Sequence, residues 1–306
     1  MKEQFRHKKI SEPRLILLSK AIGIITEYQK QGIKMTLRQL YYQLVARDVI
    51  KNLVSEYKKL GTLLKDARYN GIVDWDAIED RIRVPSIPSQ WDDVLGLIRS
   101  AKTAYRLPRW KDQEYYVELF TEKDALSSVL EPIANKLHIS FCVNRGYTSA
   151  SAIYELSKRV MDKIEADKKV VVLYLGDYDP SGLDMVRDIK DRLKELLEEG
   201  ETTIHDFDEW VEVVPVALTR EQIDKYNPPP NPAKLSDTRA KAYVAKYGSS
   251  SWEVDALRPE IMIKIVEDSI AQFLDTKKYN EVMRQEEKDM EQLEEFAKKL
   301  KRGEGK

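Results

Sequence analysis

Three short stretches carry residues that could act on a phosphate. In FTEKDAL, Glu122 directly follows the apolar run Tyr115–Thr121. In GDYDPSG, Asp177 and Asp179 follow the run VVVLYL, two residues apart. Side chains at i and i+2 of an extended chain point the same way, so both carboxylates share one side. Like charges gathered in this way repel unless a cation lies between them, and hard carboxylate oxygens favour Mg²⁺ over Zn²⁺. Pro180 and Gly182 force a sharp exit into a helix that Asp179 is suited to cap. Lys123, Asp124 and Asp184 are near enough to support the centre, whereas Glu118 rivals Glu122 but falls inside its run. In TLRQLYYQLV, Leu37, Leu40, Tyr41 and Leu44 recur at i, i+3, i+4 and i+7, which assigns Tyr41 to packing. Arg38 and Tyr42, four residues apart, share a different, solvent-facing side. An exposed phenol beside a guanidinium can contact a phosphate or attack it, with the arginine stabilising charge that builds in the transition state. A helix cap, a turn and a surface tyrosine would account for the same residues without chemistry.

These side chains need a scaffold. The pattern predicts helices over Arg14–Tyr28, over LRQLYYQLVA after an N-cap at Thr36, and over Ser55–Tyr69. The third turns Leu60, Leu63, Leu64 and Ala67 inward and Lys58, Lys59, Lys65 and Arg68 outward. Asn70-Gly71 ends it, and alternating residues over Ile72–Arg83 suit a small ribbon. Three helices and a ribbon fit a winged-helix domain whose third helix enters a DNA groove. A small helical cap domain is the plainer alternative. Pro85, Pro88 and Pro108 mark a linker over 84–110 with one short helix. Strands are then expected at Tyr115–Thr121, Ile139–Val143, Val170–Leu175 and Val211–Val216, separated by helices at Asp124–Leu137, Ser149–Ala166 and Ser181–Glu199. Such alternation indicates a mostly parallel α/β sheet with its ligand site at the carboxyl ends of the strands. The chain therefore reads as a multi-domain α/β protein: residues 1–110, residues 111–225, and an extension over 226–306. That extension holds Pro228, Pro229, Pro230 and Pro232, a helix at Pro259–Leu274 and a charged helix from Tyr279 onward.

Composition narrows the function. Of 306 residues, 42% are apolar and only one is cysteine, so Cys142 has no partner for an internal disulfide. His7, His138 and His205 are scattered, so a Cys/His zinc site is not expected, nor a primase zinc ribbon. The longest apolar runs fall short of the ~20 residues of a membrane span, and MKEQFRHKKI lacks a secretory core. A cytoplasmic protein without a membrane partner is expected. The net charge of −1 hides a split. Residues 1–110 hold 21 basic and 12 acidic residues, a net +9, against −10 for the remainder. A basic half beside an acidic half suggests a polyanion-binding module, and duplex DNA is the expected partner.

Together the motifs are more specific than any one alone. FTEKDAL and LYLGDYDPSG resemble the Toprim motifs of the topoisomerase VI A subunit and its meiotic double-strand-break relatives. Thr36, Arg38, Tyr41 and Tyr42 stand in the T-x-R-x-x-Y-Y pattern of that superfamily, and Arg145, Gly146 and Tyr147 resemble its Gly-Tyr segment. The resemblance covers roughly residues 33–220 and points to a compact prokaryotic or mobile-element branch. It implies a winged-helix domain followed by a Toprim domain. It also implies that Tyr42 attacks a DNA phosphodiester and is joined to a 5′ phosphate, with Arg38 assisting. Glu122, Asp177 and Asp179 would hold Mg²⁺. A homodimer is implied, the tyrosine of one protomer meeting the metal site of the other, as is a separate ATPase subunit, because the sequence shows no P-loop. Two alternatives stay open: a Toprim nuclease that uses metal-activated water, and a DNA-binding protein without catalysis.

Overall fold

The computed structural model describes residues 2, 4–78, 88–143, 150–198, 204–234 and 237–303. It is a mixed α/β protein with a four-stranded parallel sheet and twelve α-helices among these residues. The chain opens with three helices: α1 (Glu12–Gln29), α2 (Leu37–Ala46) and α3 (Val54–Tyr69). The start of α2 is fixed by a reciprocal cap. The Thr36 hydroxyl accepts from the Gln39 amide, and the Gln39 side chain accepts from the Thr36 amide, which satisfies two of the four orphan donors of a helix start. Leu18, Ile25, Leu40, Leu44, Leu60 and Leu63 are buried in one cluster between the three helices. The Tyr28 hydroxyl donates to Gln43 Oε1 at 3.1 Å inside it.

The ribbon expected over Ile72–Arg83 does not form in its described part, residues 72–78. Trp75–Ala77 makes a 3-10 turn capped by Asp74, and Ile78 makes an isolated parallel bridge to Met35. An acceptor at Asp74 two residues before the Asp76 amide favours a turn over extended pairing. Residues 79–83 lie outside the described ones. Arg68 also departs from expectation. It is half-buried, donates to the Ile78 carbonyl at 2.8 Å and lies 5.9 Å from the Trp75 ring. The turn folds back over the last turn of α3 and covers the guanidinium there. Lys58, Lys59 and Lys65 are exposed, as their spacing indicates.

Helix α4 (Val94–Ala104) leads into the sheet unit: β1 (Tyr115–Thr121), α5 (Ser127–Leu137), β2 (Ser140–Val143), α6 (Ala150–Ile164), β3 (Lys169–Leu175), α7 (Pro180–Glu198), α8 (Phe207–Trp210) and β4 (Val211–Ala217). The strand order is β2-β1-β3-β4, every neighbour parallel. Val171, Leu173 and Leu175 of β3 pack with α5 residues Val129, Leu130 and Ile133, while Val170, Val172 and Tyr174 pack with α6 and α7. A strand covered on both faces is apolar throughout, which is why VVVLYL shows no alternation. Beyond the sheet come α9 (Arg220–Tyr226), β5 (Asn231–Pro232), α10 (Ala240–Tyr247), β6 (Ser250–Ser251), α11 (Pro259–Ala271) and α12 (Thr276–Gly303). Strands β5 and β6 form a small antiparallel pair. The charged helix α12 is not merely solvated. It packs along α4, lining a shared groove with Leu95 and Ile98 opposite Leu293 and Ala297. No helix among the described residues is long and apolar enough to cross a membrane.

Candidate metal and phosphate site at the sheet edge

The connection from β1 runs to β2 on one side, and the chain then returns to place β3 on the other side of β1. Such a reversal opens a crevice at the carboxyl ends of the strands on either side of it. Glu122 follows the last residue of β1. Asp177 and Asp179 follow β3, its neighbour, with Thr121 in register with Leu175. The topology thus places the three acids singled out by their positions after strands at one sheet edge, but the carboxylates that converge among the described residues are Asp177, Glu253 and Asp255 rather than Glu122, Asp177 and Asp179. Burial together with the Asp179 carboxylate pushes the Glu122 pKa up, with Lys123 and the Asp177 amide acting against it.

Two glycines make this turn possible. A Cβ at Gly182 would collide with the Asp177 carbonyl, and one at Gly176 with the Tyr174 hydroxyl. The chain leaves β3, is pinned by the reciprocal backbone bonds of Tyr178 with Trp252 at 2.8 and 3.0 Å, and enters α7 directly. Asp179 caps that helix, its Oδ1 accepting from the Gly182 amide at 2.7 Å, with Oδ2 4.0 Å from Lys234 Nζ. Asp177 looks elsewhere. Its Oδ1 accepts from the Val254 amide at 2.9 Å and lies 2.6 Å from Lys123 Nζ.

Sequence reasoning missed two acids. Glu253 and Asp255 sit on the turn after β6 and join Asp177 in a buried triad whose ligand atoms lie within 4.8 Å of one another, a set that could bind a metal ion. Lys123 Nζ stands among them, 2.7 Å from Glu253 Oε2 and 3.1 Å from Asp255 Oδ1. Burial pushes Glu253 up, but Lys123 and Arg38 outweigh it and hold the carboxyl at about 2. Burial pushes Asp177 upward, with Lys123 pulling it back. The clue in the sequence was the pair of acids in SSWEVDAL, which repeats the i, i+2 spacing of GDYDPSG. Glu118, inside β1, is buried and held by Arg159 through two bonds of 2.6 and 3.2 Å, away from the strand end. Asp184 pairs with Arg187 and Arg239.

Of Arg38 and Tyr42, only the tyrosine needs correction. Arg38 is exposed as expected, although it pairs with Glu253 and sets Nε 3.2 Å from Asp255 Oδ2. Tyr42 is not solvent-facing: it is only 4% exposed, about as little as Tyr41 at 5%. The segment carrying Asn231, Ser251 and Trp252 lies opposite α2 and covers it, an element whose docking helical periodicity does not encode. The phenol nonetheless borders a cleft of about 470 Å³ shared with Arg38, Asp177, Asp179, Lys234 and Glu253. The Tyr42 oxygen accepts a long bond from Asn231 Nδ2 at 3.4 Å, and burial together with Glu253 pushes its pKa up to about 12. Tyr41 points its hydroxyl away, donating to Asn52 Oδ1 at 2.9 Å. Arg145, Gly146 and Tyr147 lie outside the described residues.

The cleft can therefore offer a phenol, carboxylates and a flanking lysine to one ligand. No family model matches the chain, and comparison with curated proteins and with solved structures returns no match.

Proposed function

We propose that this cleft cleaves DNA strands, with Tyr42 as the nucleophile and Mg²⁺ held by Glu122, Asp177 and Asp179. In this reading the first three helices belong to a winged-helix domain and the parallel sheet to a Toprim domain completed by the C-terminal extension. One observation carries it: the phenol of Tyr42 and the carboxylates of Asp177 and Asp179 line a single cleft of one chain. The acids fit a hard divalent ion. Burial and the Asp179 carboxylate raise the pKa of Glu122, with Lys123 and then Lys234, which lies 4.0 Å from Asp179 Oδ2, acting against them. The Tyr174 hydroxyl, buried behind the same turn, has no hydrogen-bond partner and is free to accept or donate to a water of such an ion.

Mg²⁺ at these oxygens would neutralise the phosphate and steady the departing 3′ oxygen. The residues of the chain do the rest. Tyr42 Oη forms a bond to phosphorus as the bond to the 3′ oxygen breaks, and the phenolic proton passes through water to the departing 3′ oxygen, which leaves as a hydroxyl. The bond energy is kept as a phosphotyrosine, so resealing is the reverse reaction. Lys234 faces the same cleft and is placed to pair with a phosphate. Arg38, engaged by Glu253 and Asp255, acts by holding α2 and with it Tyr42. Lys58, Lys59 and Lys65 offer duplex DNA an exposed basic face on α3, so binding should weaken steeply with salt. Because phenol and acids already share one chain, cutting both strands calls for two copies rather than for a shared site, and strand passage calls for a separate ATPase subunit.

A second reading has its own support. A phenol held at about 12 is a reluctant nucleophile, and water in the same cleft would give simple hydrolysis. Denaturing the protein after incubation with end-labelled DNA and Mg²⁺ or Mn²⁺ separates the two. A covalent adduct that Tyr42→Phe abolishes supports transesterification. Cleavage that survives Tyr42→Phe but not Asp177→Ala supports hydrolysis.

A further inference from the structure

We infer that the cleft beside Tyr42 takes one unpaired nucleotide of a nucleic-acid strand, with its base stacked at the aromatic mouth. Nucleic acid as the ligand class rests on the cleavage reading above; the addition is that the strand is single or locally opened. The cleft of about 470 Å³ has two unlike ends. Its inner end carries Tyr42, Asp177 and Glu253. Its outer end is built from two elements: Leu53, Val54 and Tyr57 at the start of α3, and Pro232 of β5 with Trp252 just after β6. Asn52 ties these elements together, its Nδ2 donating to Asn231 Oδ1 at 2.7 Å and to the Pro230 carbonyl at 3.1 Å. Three rings lead from one end to the other. Tyr42 and Tyr41 lie 5.2 Å apart between centroids, Tyr41 and Tyr57 5.5 Å, both edge to face.

The mouth is apolar where a helix start favours polar side chains. Leu53 occupies the N-cap of α3 and makes no side-chain cap, although Ser, Thr, Asp or Asn there would satisfy an orphan amide. Leu53 is 51% exposed and Val54 74%. Every base has a π-face, and single strands stack theirs on aromatic side chains set along a basic track. Such a track is present. Val54, Lys58 and Lys65 recur at i, i+4 and i+11, one line along α3, and all are exposed. That line is about 17 Å long, the rise of about five stacked nucleotides. A strand held by the two lysines is led to Val54 and the cleft, where Lys234, largely exposed, is placed to meet its phosphate. Size argues against a paired duplex inside. The volume is that of a pocket for a single small molecule, and Tyr42 lies within it, only 4% exposed. A base-paired helix does not fit such a space, whereas one nucleotide turned out of the stack does.

Anisotropy titration of the full chain without divalent ion, using fluorescein-labelled oligothymidylate and a duplex of the same length, tests this. Tyr57→Leu should weaken binding of the single strand about tenfold and of the duplex less than about twofold, while Tyr57→Phe, which keeps the ring, should bind like the unaltered chain. Val54→Glu, at an exposed position, should also weaken the single strand more than the duplex, and it decides alone if Tyr57→Leu does not fold. Equal losses for strand and duplex, or no loss in a folded variant, would overturn the inference. With Mg²⁺ or Mn²⁺ added, an adduct that forms on fully paired duplex as readily as on single strand would also overturn it and leave cleavage intact. Selective loss of single-strand binding in a chain that cuts neither substrate would uphold it and overturn the cleavage reading.

Discussion

Arg38 Nε lies 3.2 Å from Asp255 Oδ2, joining residues 217 positions apart. The helix that carries Tyr42 is thereby fastened to the turn that closes the acidic triad. Tyr42 stands one helical turn from this fastening, so its position over the cleft depends on a contact between the first helices and the C-terminal extension. Replacing Arg38 by Met leaves Asp255, fully buried, with Lys123 as its remaining cation. Because Arg38 is 45% exposed in its side chain, solvent screening reduces the loss from what a fully buried pair would cost. The expected destabilisation is about 1–2 kcal/mol in urea unfolding. Adduct yield should fall more than stability, because α2 loses its registration with the sheet. Unchanged stability and activity would show that the pair fastens nothing.

Asp179 caps a helix and, in the proposed function, also holds an ion; substitutions can separate the two. Its carboxylate caps α7 through the Gly182 amide at 2.7 Å. Asparagine also caps helices well, so Asp179→Asn should keep stability within about 0.5 kcal/mol, while Asp179→Ala should cost about 1 kcal/mol. Both should lose divalent-ion binding. Asp179→Asn that binds Mg²⁺ normally would reduce Asp179 to a cap.

Gly182 is a steric requirement. A Cβ there would run into the Asp177 carbonyl, backbone against backbone, with no flexible side chain to yield. Gly182→Ala should therefore destabilise by about 1–3 kcal/mol despite the better helix propensity of alanine, and it should displace Asp177. A stable variant with unaltered metal binding would contradict the packing at the start of α7.

Much of this was legible in the sequence, and the rest was lost for identifiable reasons. The runs YYVELFT and VVVLYL mark β1 and β3, and acids placed just after them had to reach the sheet edge. Thr36 and Gln39 announce the start of α2. What failed depended on distant chain. Tyr42 follows its helix spacing toward solvent, but residues near 231 and 252 arrive to cover it. Arg68 is outward on α3 until the 3-10 turn after it folds back. Glu253 and Asp255 lie more than 70 residues beyond Asp177, after elements too short to carry a period. The resemblance to Toprim enzymes reached only to about residue 220 and could not supply them.

The C-terminal helix should respond to acid. Glu286 of α12 is buried, accepts from Arg109 Nη2 at 2.7 Å and takes the Leu107 amide at 2.9 Å. Burial pushes its carboxyl up, but Arg109 and that amide outweigh it and hold it below its ordinary value of 4.5. A carboxyl lowered by folding adds stability above its unfolded pKa, and that contribution disappears as pH falls through the folded value. Unfolding free energy should therefore decline below about pH 4.5, and Glu286→Gln should reduce that slope while lowering stability at neutral pH. Equal slopes for the two proteins would show that the pair does not hold α12.

The central claim is that the phenol of Tyr42 attacks phosphorus in a cleft it shares with Asp177 and Asp179. The most direct measurement is denaturing electrophoresis of the full chain after incubation with 5′-labelled and 3′-labelled duplex DNA and Mg²⁺ or Mn²⁺, followed by peptide mapping of any adduct. The expected result is label retained on a peptide containing Tyr42, through the 5′ phosphate of the cut strand, and absent in Tyr42→Phe. The stability of that variant should stay within about 1 kcal/mol, because the bond its hydroxyl accepts from Asn231 is long at 3.4 Å. Cleavage with no protein-linked DNA, or an adduct that persists in Tyr42→Phe, would contradict it.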